Sequence, residues 1–279
     1  MHAAPIVRRH AVVLRTANIR ERESMSAGRL AGAVTIVTGA SAGIGETTAI
    51  TFGREGAKVV VVGRTQGELQ RVAGIITAAG GEALVVRADV TRTADVEAMV
   101  RTVMDRHSRI DVLVNGVGGW TKLSPITEIT DEDWDEVMTL NLTSMFRCVR
   151  AVSKIMIVQK RGRIINMASQ SGVGPNAGTN SNIPYACSKA AVIAFTKHLA
   201  KQLGPDGITV NTVSPGTTLT ARVAKVWDVP TQQKKAAGNP LRCLVEPQDS
   251  ADACLFLASA EARHITGVNL NVNAGSSMP

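Results

Sequence analysis

The sequence predicts one α/β domain built on a doubly wound, parallel, seven-stranded sheet. Short apolar runs rich in valine and isoleucine, such as residues 58–62, recur along the chain and are typical of strands that are buried on both faces. Longer segments with apolar residues at helical spacing separate these runs. Because strand and helix alternate throughout, right-handed crossovers are expected to place every strand in a single parallel sheet.

The predicted elements follow one another without a break that would separate a second domain. The predicted strands are residues 33–38, 58–62, 83–88, 112–115, 163–167, 208–213 and 268–272. The predicted helices are residues 45–55, 66–79, 94–107, 131–159, 185–203 and 249–257. Residues 25–279 are therefore expected to form one domain, in which residues 217–247 have the length of a lid over a substrate.

Composition excludes several classes of protein. Hydrophobic residues make up 44% and charged residues 19% of the 279 residues, which is typical of a globular protein. Apolar runs fall far short of the roughly 20 residues that a membrane helix needs, so no membrane partner is expected. The net charge of +8 is spread along the chain, which argues against nucleic-acid binding. Four scattered cysteines without a CxxC pair indicate a reducing, cytoplasmic setting, and no metal site is predicted.

The first 24 residues differ from the rest of the chain. They contain five arginines and no acidic residue before Glu21, which is typical of a transit peptide or a short basic arm. They also contain few serines and no A-x-A cleavage signal, and a globular pattern follows directly after Met25. We therefore favour a disordered or mis-assigned extension for residues 1–24.

A glycine-rich turn follows the first predicted strand and leads into a helix. Its sequence is Thr38-Gly39-Ala40-Ser41-Ala42-Gly43-Ile44-Gly45. Glycines at this point allow a pyrophosphate to approach the backbone at a helix N-terminus, as in Rossmann-type dinucleotide sites. The spacing is GxxxGxG where many such sites have GxGxxG, so a turn without a ligand is the alternative.

The end of the second strand bears on the choice of cofactor. An NAD enzyme usually places a carboxylate about 20 residues beyond the turn, whereas this chain has Gly63 followed by Arg64. A guanidinium can bind a 2′-phosphate through two hydrogen bonds, which favours NADP over NAD; the alternative is a solvated charge. Asp89, after the third strand, is expected either to bind the adenine amino group or to cap the next helix.

Tyr185 and Lys189 are the strongest chemical signal. They lie four residues apart in a predicted helix, so both side chains project from one face. A nearby ammonium lowers the pKa of a phenol toward the working range for proton transfer. Ser169 follows the fifth strand at the edge where ligands of such sheets bind, and its hydroxyl can hold a carbonyl oxygen. Asn141, inside a predicted helix, needs a partner, either the backbone or a water molecule held against Lys189.

Together these motifs make the chain resemble the short-chain dehydrogenase/reductase family, in particular the 3-oxoacyl-carrier-protein reductase group. The resemblance extends from Met25 to the C-terminus. The motifs that carry it are residues 38–45, Asp89-Val90, Asn115-Gly116-Val117-Gly118, Asn141, Ser169, Tyr185, Lys189, and residues 211–220 with Pro215-Gly216.

The resemblance implies a catalytic tetrad of Asn141, Ser169, Tyr185 and Lys189, with Lys189 also on the nicotinamide ribose. It places Thr218 and Thr220 beside the nicotinamide amide. The predicted cofactor-binding set is Gly39, Ser41, Gly43, Ile44, Gly45, Arg64, Asp89, Val90, Asn115, Gly116, Tyr185, Lys189, Pro215, Gly216, Thr218 and Thr220.

The implied activity is hydride transfer between NADP(H) and a small-molecule ketone or secondary alcohol, with a 3-oxoacyl thioester as one candidate substrate. NAD is possible as the cofactor, and the resemblance implies a homotetramer. The alternatives are an NAD-dependent alcohol, sugar or steroid dehydrogenase and, more distantly, a nucleotide-sensing protein without catalysis.

The sequence departs from the family pattern at three places. The family's usual motif Asn-Asn-Ala-Gly is replaced by Asn115-Gly116-Val117-Gly118. This change removes one side-chain amide, and we still expect the cofactor to bind. A polar insert at residues 174–180 lengthens the interval between Ser169 and Tyr185. We expect the entrance for the substrate to differ from that of the family as a result. Asn273-Ala274-Gly275 stands where relatives carry Asp-Gly-Gly, a change expected to affect subunit packing before chemistry.

Overall fold

The computed structural model describes residues 28–120, 122–175 and 182–278. The predicted extension at residues 1–24 and most of the polar insert at residues 174–180 lie outside the described residues. In the described part of the chain, no helix is long and apolar enough to cross a membrane.

Seven parallel strands form one sheet in the order β3-β2-β1-β4-β5-β6-β7. The strands are β1 Val34–Thr38, β2 Lys58–Gly63, β3 Glu82–Arg87, β4 Val112–Asn115, β5 Gly162–Met167, β6 Ile208–Pro215 and β7 Asn269–Val272. All seven predicted strands are present, with ends that differ from the predictions by up to two residues. The strand order reverses between β1 and β4, and ligands of such sheets bind at this crevice.

Helices cover both faces of the sheet. They are α1 Gly43–Arg54, α2 Gln66–Ala78, α3 Thr93–His107, α4 Asp131–Met138, α5 Ser144–Gln159, α6 Ile183–Leu203, α7 Ala221–Val226, α8 Val229–Ala237 and α9 Pro247–Ala258. One apolar core packs α3, α5 and α6 against the sheet, and a second packs α1, α2 and α9 against the opposite face. Because helices cover both faces of the sheet, the central strands β1, β2 and β4 are mostly apolar along their length and do not alternate between apolar and polar residues.

The predicted helix 131–159 is interrupted. A π-helical turn at Thr139–Thr143 separates α4 from α5, and Asn141 lies within it. Such a turn adds a residue to one helical repeat and is frequent at functional sites. The apolar periodicity continues on both sides of the turn, so the sequence pattern alone predicts one helix.

The segment 217–247 is not a plain loop. It contains the short helices α7 and α8, whose N-termini are capped by the side chains of Thr220 and Asp228. The segment therefore has local structure of its own between β6 and α9.

Candidate active site

The turn after β1 presents a helix N-terminus without a side-chain cap. α1 begins at Gly43, and its N-cap residue Ala42 makes no side-chain hydrogen bond to the first turn. Gly39 and Gly43 have φ angles of 70° and 59°, a region that favours glycine. A Cβ at Gly45 would lie 2.2 Å from the carbonyl oxygen of Gly39. Free backbone N–H groups beside such small residues fit the pyrophosphate of a dinucleotide.

Thr38 connects this turn to the loop after β4. Its hydroxyl donates to the carbonyl oxygen of Val114 at 3.3 Å and accepts from the backbone N–H of Gly116 at 3.1 Å. The side chain of Asn115 is buried and donates to Asn166 Oδ1 at 2.8 Å. The backbone at Gly116, rather than the Asn115 amide, therefore borders the glycine-rich turn.

Two arginines lie side by side at the carboxyl ends of β2 and β3. Gly63 and Arg87 are register partners, and Arg87 Nε donates to the carbonyl oxygen of Arg64 at 3.1 Å. A Cβ at Gly63 would lie 3.6 Å from the Ser41 hydroxyl, so this corner adjoins the glycine-rich turn. The N-cap of α2, Thr65, makes no side-chain hydrogen bond to that helix. Two exposed guanidinium groups and a bare helix N-terminus fit a phosphate on the adenosine ribose.

Asp89 does not cap the helix that follows it. α3 begins at Thr93 with Arg92 as its N-cap, while Asp89 Oδ1 accepts from the backbone N–H and hydroxyl of Thr91 at 3.0 and 2.7 Å. Burial raises the pKa of Asp89, but the Thr91 hydrogen bonds and the charge of Arg64 lower it, and the net direction is downward. The carboxylate is therefore ionised at neutral pH and can act as an acceptor. The adjacent Val90 is buried in the core.

Ser169 and Tyr185 meet at the carboxyl edge of the sheet. Ser169 lies just beyond β5, and Asn182 caps α6 by accepting from the backbone N–H of Tyr185 at 2.9 Å. Burial raises the pKa of Tyr185, and a hydrogen bond with Ser169 opposes this rise without cancelling it. The expected lowering of the phenol pKa by Lys189 is not the net result, because burial outweighs the other influences. The phenol is therefore protonated at neutral pH.

Lys189 is buried one helical turn beyond Tyr185. Its Nζ donates to the carbonyl oxygen of Met167 at 2.8 Å and lies 5.6 Å from the centroid of the Tyr185 ring. Burial lowers the pKa of Lys189 to about 8. Within the described residues, Lys189 has no salt-bridge partner. At neutral pH the site thus holds an ammonium without a counter-ion beside a neutral phenol.

Asn141 makes the backbone contacts that were one of its two predicted roles. Its Nδ2 donates to the carbonyl oxygens of Gly119 and Val137, both at 2.8 Å, and its Oδ1 accepts from the Gly119 N–H at 2.9 Å. A Cβ at Gly118 would lie 2.7 Å from Asn141 Oδ1 and 2.8 Å from Lys189 Nζ. Asn141 therefore holds the loop after β4 against the buried ammonium.

The start of the segment 217–247 reaches the same site. Beyond Pro215 at the end of β6, the Thr218 hydroxyl donates to the carbonyl oxygen of Gly216 at 3.1 Å. The Thr220 methyl would lie 3.4 Å from a Cβ placed on Gly43. The loop after β6 thus approaches the first turn of α1, where the glycine-rich turn ends.

The structure brings the four predicted catalytic residues to one crevice with the glycine-rich turn on its border. Sequence reasoning named Thr38 only as part of the glycine-rich turn, and it did not single out Arg87 or Asn182. The pairing of Arg87 with Gly63 follows from strand register and becomes visible once β2 and β3 are aligned as parallel neighbours. In the described residues, no cluster of three or more His, Cys, Asp or Glu side chains could hold a metal ion.

A family model described as enoyl-(acyl carrier protein) reductase matches residues 39–277. The chain belongs to the short-chain dehydrogenase/reductase family. This family member is 41% identical over 251 residues to a 3-oxoacyl-[acyl-carrier-protein] reductase of Synechocystis sp., covering 89% of this chain and 98% of the relative.

Two solved structures extend the comparison. A variant of actinorhodin polyketide ketoreductase with NADPH has a TM-score of 0.82 and 34% identity, covering 88% of this chain and 97% of that chain. A 7α-hydroxysteroid dehydrogenase complexed with NADH and 7-oxo glycochenodeoxycholic acid has a TM-score of 0.83 and 33% identity, covering 88% and 95%. The predicted family and fold class are confirmed, as is the predicted class of enzyme, a nicotinamide-dependent oxidoreductase that interconverts ketones and secondary alcohols.

Proposed function

We propose that this short-chain dehydrogenase/reductase reduces a ketone to a secondary alcohol, that NADPH is its preferred cofactor, and that Asn141, Ser169, Tyr185 and Lys189 form its catalytic group. The observation that carries the proposal is the arrangement of three side chains: the Tyr185 phenol is hydrogen-bonded to Ser169, and the Nζ of the buried Lys189 lies 5.6 Å from the centroid of the Tyr185 ring. A neutral phenol is the form that donates a proton to a carbonyl oxygen. The similarity to reductases of 3-oxoacyl and polyketide substrates supports the reductive direction.

The cofactor site is assigned by the chemistry of its parts. Gly39, Ser41, Gly43, Ile44 and Gly45 would hold the pyrophosphate, with the backbone at Asn115-Gly116 bordering it. Arg64, together with Arg87, would hold the 2′-phosphate, and Asp89-Val90 the adenine. Pro215-Gly216, Thr218 and Thr220 would hold the nicotinamide amide, and Tyr185 and Lys189 the adjoining ribose. When bound, the reduced nicotinamide supplies the hydride that the carbonyl carbon receives.

Residues of the chain supply and replace the proton that the carbonyl oxygen receives. The Ser169 hydroxyl positions the carbonyl oxygen, and Tyr185 donates its phenolic proton to that oxygen as the carbon–hydrogen bond forms. The Lys189 ammonium stabilises the phenolate that remains. Asn141 is a positioning residue, because its Nδ2 donates to the carbonyl oxygens of Gly119 and Val137 and its Oδ1 accepts from the Gly119 N–H. A proton from solvent then restores the phenol.

Replacing Tyr185 with phenylalanine tests this assignment. General acid catalysis contributes about 10²- to 10⁴-fold, so the turnover of Tyr185→Phe is expected to fall by at least a hundredfold. The affinity for NADPH, measured by titrating the cofactor's fluorescence, is expected to change little, because the ring is retained. Wild-type turnover in the variant at matched cofactor occupancy would remove Tyr185 from the mechanism.

We also propose that residues 25–279 act as one domain with residues 217–247 as its lid, and that the protein is a cytoplasmic homotetramer. Exposed apolar side chains on α5 support association: Phe146 is 39% exposed and Val158 is 83% exposed. Light scattering of the purified protein measures the assembly.

A further inference from the structure

Tyr185 borders a cavity of about 420 Å³, which is within the usual range of roughly 300 to 1,000 Å³ for small-molecule sites. Three segments form its walls. Trp120 and Leu123 come from the loop after β4, Val173 and Pro175 from the loop after β5, and Ile183 from the first turn of α6.

The walls of this cavity are mostly apolar. Its other described lining residues are small or uncharged, and no Asp, Glu, Lys, Arg or His is among the described lining residues. Two lysines adjoin lining residues in the sequence: Lys122 forms an ion pair with Asp133 at 2.7 Å, and Lys189 is buried behind Tyr185, where its Nζ donates to the carbonyl oxygen of Met167. A charged group placed in the cavity would lose water without gaining an opposite charge from the described lining, which is unfavourable.

The wall formed by Trp120 and Leu123 is fixed to the helix that carries the proton donor. Asn182 Nδ2 donates to the carbonyl oxygen of Lys122 at 2.7 Å, while its Oδ1 accepts from the Tyr185 N–H. One side chain thus sets the distance between the loop after β4 and the start of α6. The cavity and the Tyr185 phenol keep a defined relation as a result.

We infer that the substrate is a compact, uncharged hydrophobic ketone whose ring system, aromatic or alicyclic, fills this cavity while its carbonyl meets Ser169 and Tyr185. The inference rests on the proposed function and narrows its substrate class. Trp120, 39% exposed at the cavity, offers a flat aromatic surface to such a ring.

A matched series of ketones tests the inference. It comprises cyclohexanone, cyclohexanone with a phenyl group on the carbon opposite the carbonyl, and the same ring with a carboxylate there. Acetoacetyl-CoA represents thioesters. With NADPH, the phenyl compound is expected to have a kcat/KM at least tenfold above cyclohexanone, because it buries the most apolar area, and the carboxylate compound is expected to fall at least tenfold below the phenyl compound.

The variant Trp120→Ala is expected to raise KM for the phenyl compound about tenfold and to change KM for cyclohexanone less than twofold. Trp134→Ala is the matched control, since Trp134 is 37% exposed and is not among the cavity-lining residues. It should leave both values unchanged. A tenfold preference for acetoacetyl-CoA over every cyclic ketone, or an equal effect of Trp120→Ala on both ketones, would overturn the inference.

Calorimetric binding of the phenyl compound separates this inference from the proposed reaction. Binding that weakens in Trp120→Ala supports the cavity assignment even if no ketone is reduced. Absence of NADPH oxidation with every compound would then refute the proposed reaction alone. Absence of binding by the phenyl compound together with turnover of the thioester would refute the substrate class alone.

Discussion

Replacing Lys189 with methionine is expected to abolish turnover and, at neutral pH, to make the protein more stable. In the native state burial lowers the pKa of Lys189 from 10.5 to about 8. This difference corresponds to about 3 kcal/mol by which the native state disfavours the charged lysine relative to the unfolded chain. Methionine has a similar length and no charge. Loss of the Nζ hydrogen bond to Met167 removes about 1 kcal/mol, so a net gain of about 2 kcal/mol is expected.

The sign of this effect depends on pH. Below about pH 8 both native and unfolded wild-type chains carry the proton on Lys189, and the full penalty of the buried charge applies. Between about pH 8 and 10.5 the unfolded chain binds more protons than the native state, so the stability of the wild type rises with pH. The variant lacks this dependence. Its advantage should therefore shrink across that window and reverse above it, where only the lost hydrogen bond remains.

Thermal unfolding of the cofactor-free proteins from pH 6 to pH 11 checks the prediction. At about 2 to 4 °C per kcal/mol, Lys189→Met should melt about 4 to 8 °C above the wild type at pH 7. Lys197→Met, on the exposed face of the same helix, is the control and should differ from the wild type by a constant amount. A pH-independent difference for Lys189→Met, or a less stable variant at pH 7, would refute the idea that an unpaired buried ammonium destabilises this fold.

Two further predictions concern the choice of cofactor and the ion pairs of Asp111 at the amino-terminal ends of β1 and β4. Arg64→Ala and Arg87→Ala are each expected to weaken NADPH binding about tenfold, or about 1.4 kcal/mol, and to leave NADH binding within twofold. Fluorescence titrations measure both affinities, with Arg101→Ala as the control. An unchanged ratio of NADPH affinity to NADH affinity would argue against the paired-arginine site. Asp111→Asn is expected to lower the free energy of unfolding by about 2 kcal/mol and the melting temperature by about 4 to 8 °C. The reason is that the buried Asp111 carboxylate accepts from the Val34 N–H at 2.9 Å and forms ion pairs with Arg109 and Arg161 at 2.6 and 3.1 Å. Both arginines are partly exposed, which limits the loss, and the solvent-exposed Asp105→Asn should melt with the wild type.

The fold was predictable because its signals are local. The central strands β1, β2 and β4 are buried between helices on both faces and therefore read as largely apolar runs. The starts of three helices, α1, α6 and α9, were placed two residues late. α1 begins at Gly43 rather than Gly45, because glycine has a poor helix propensity that the tertiary structure overrides, and α6 begins at Ile183, where Asn182 supplies a cap.

The chemistry of the site was also visible in the sequence, but its geometry was not. Tyr185 and Lys189 are linked by helical spacing, whereas the contact between Arg87 and Arg64 depends on the register of β2 and β3. The hydrogen bonds of Asn141 depend on a π-helical turn that the apolar periodicity does not signal. Contacts between residues on different strands or helices cannot be predicted from local sequence patterns, because they depend on how the sheet assembles.

The buried lysine also explains two glycines that are far apart in the sequence. A Cβ at Gly118 would lie 2.8 Å from Lys189 Nζ, and a Cβ at Gly172 would lie 2.5 Å from the Lys189 carbonyl carbon. The loop after β4 must therefore lack a side chain at Gly118, beside the ammonium, and the turn after β5 must lack one at Gly172, against the backbone of α6. Because close backbone packing excludes water, it also lowers the lysine pKa. The same packing that destabilises the charged lysine thus holds its ammonium beside the Tyr185 ring, where a phenolate would form.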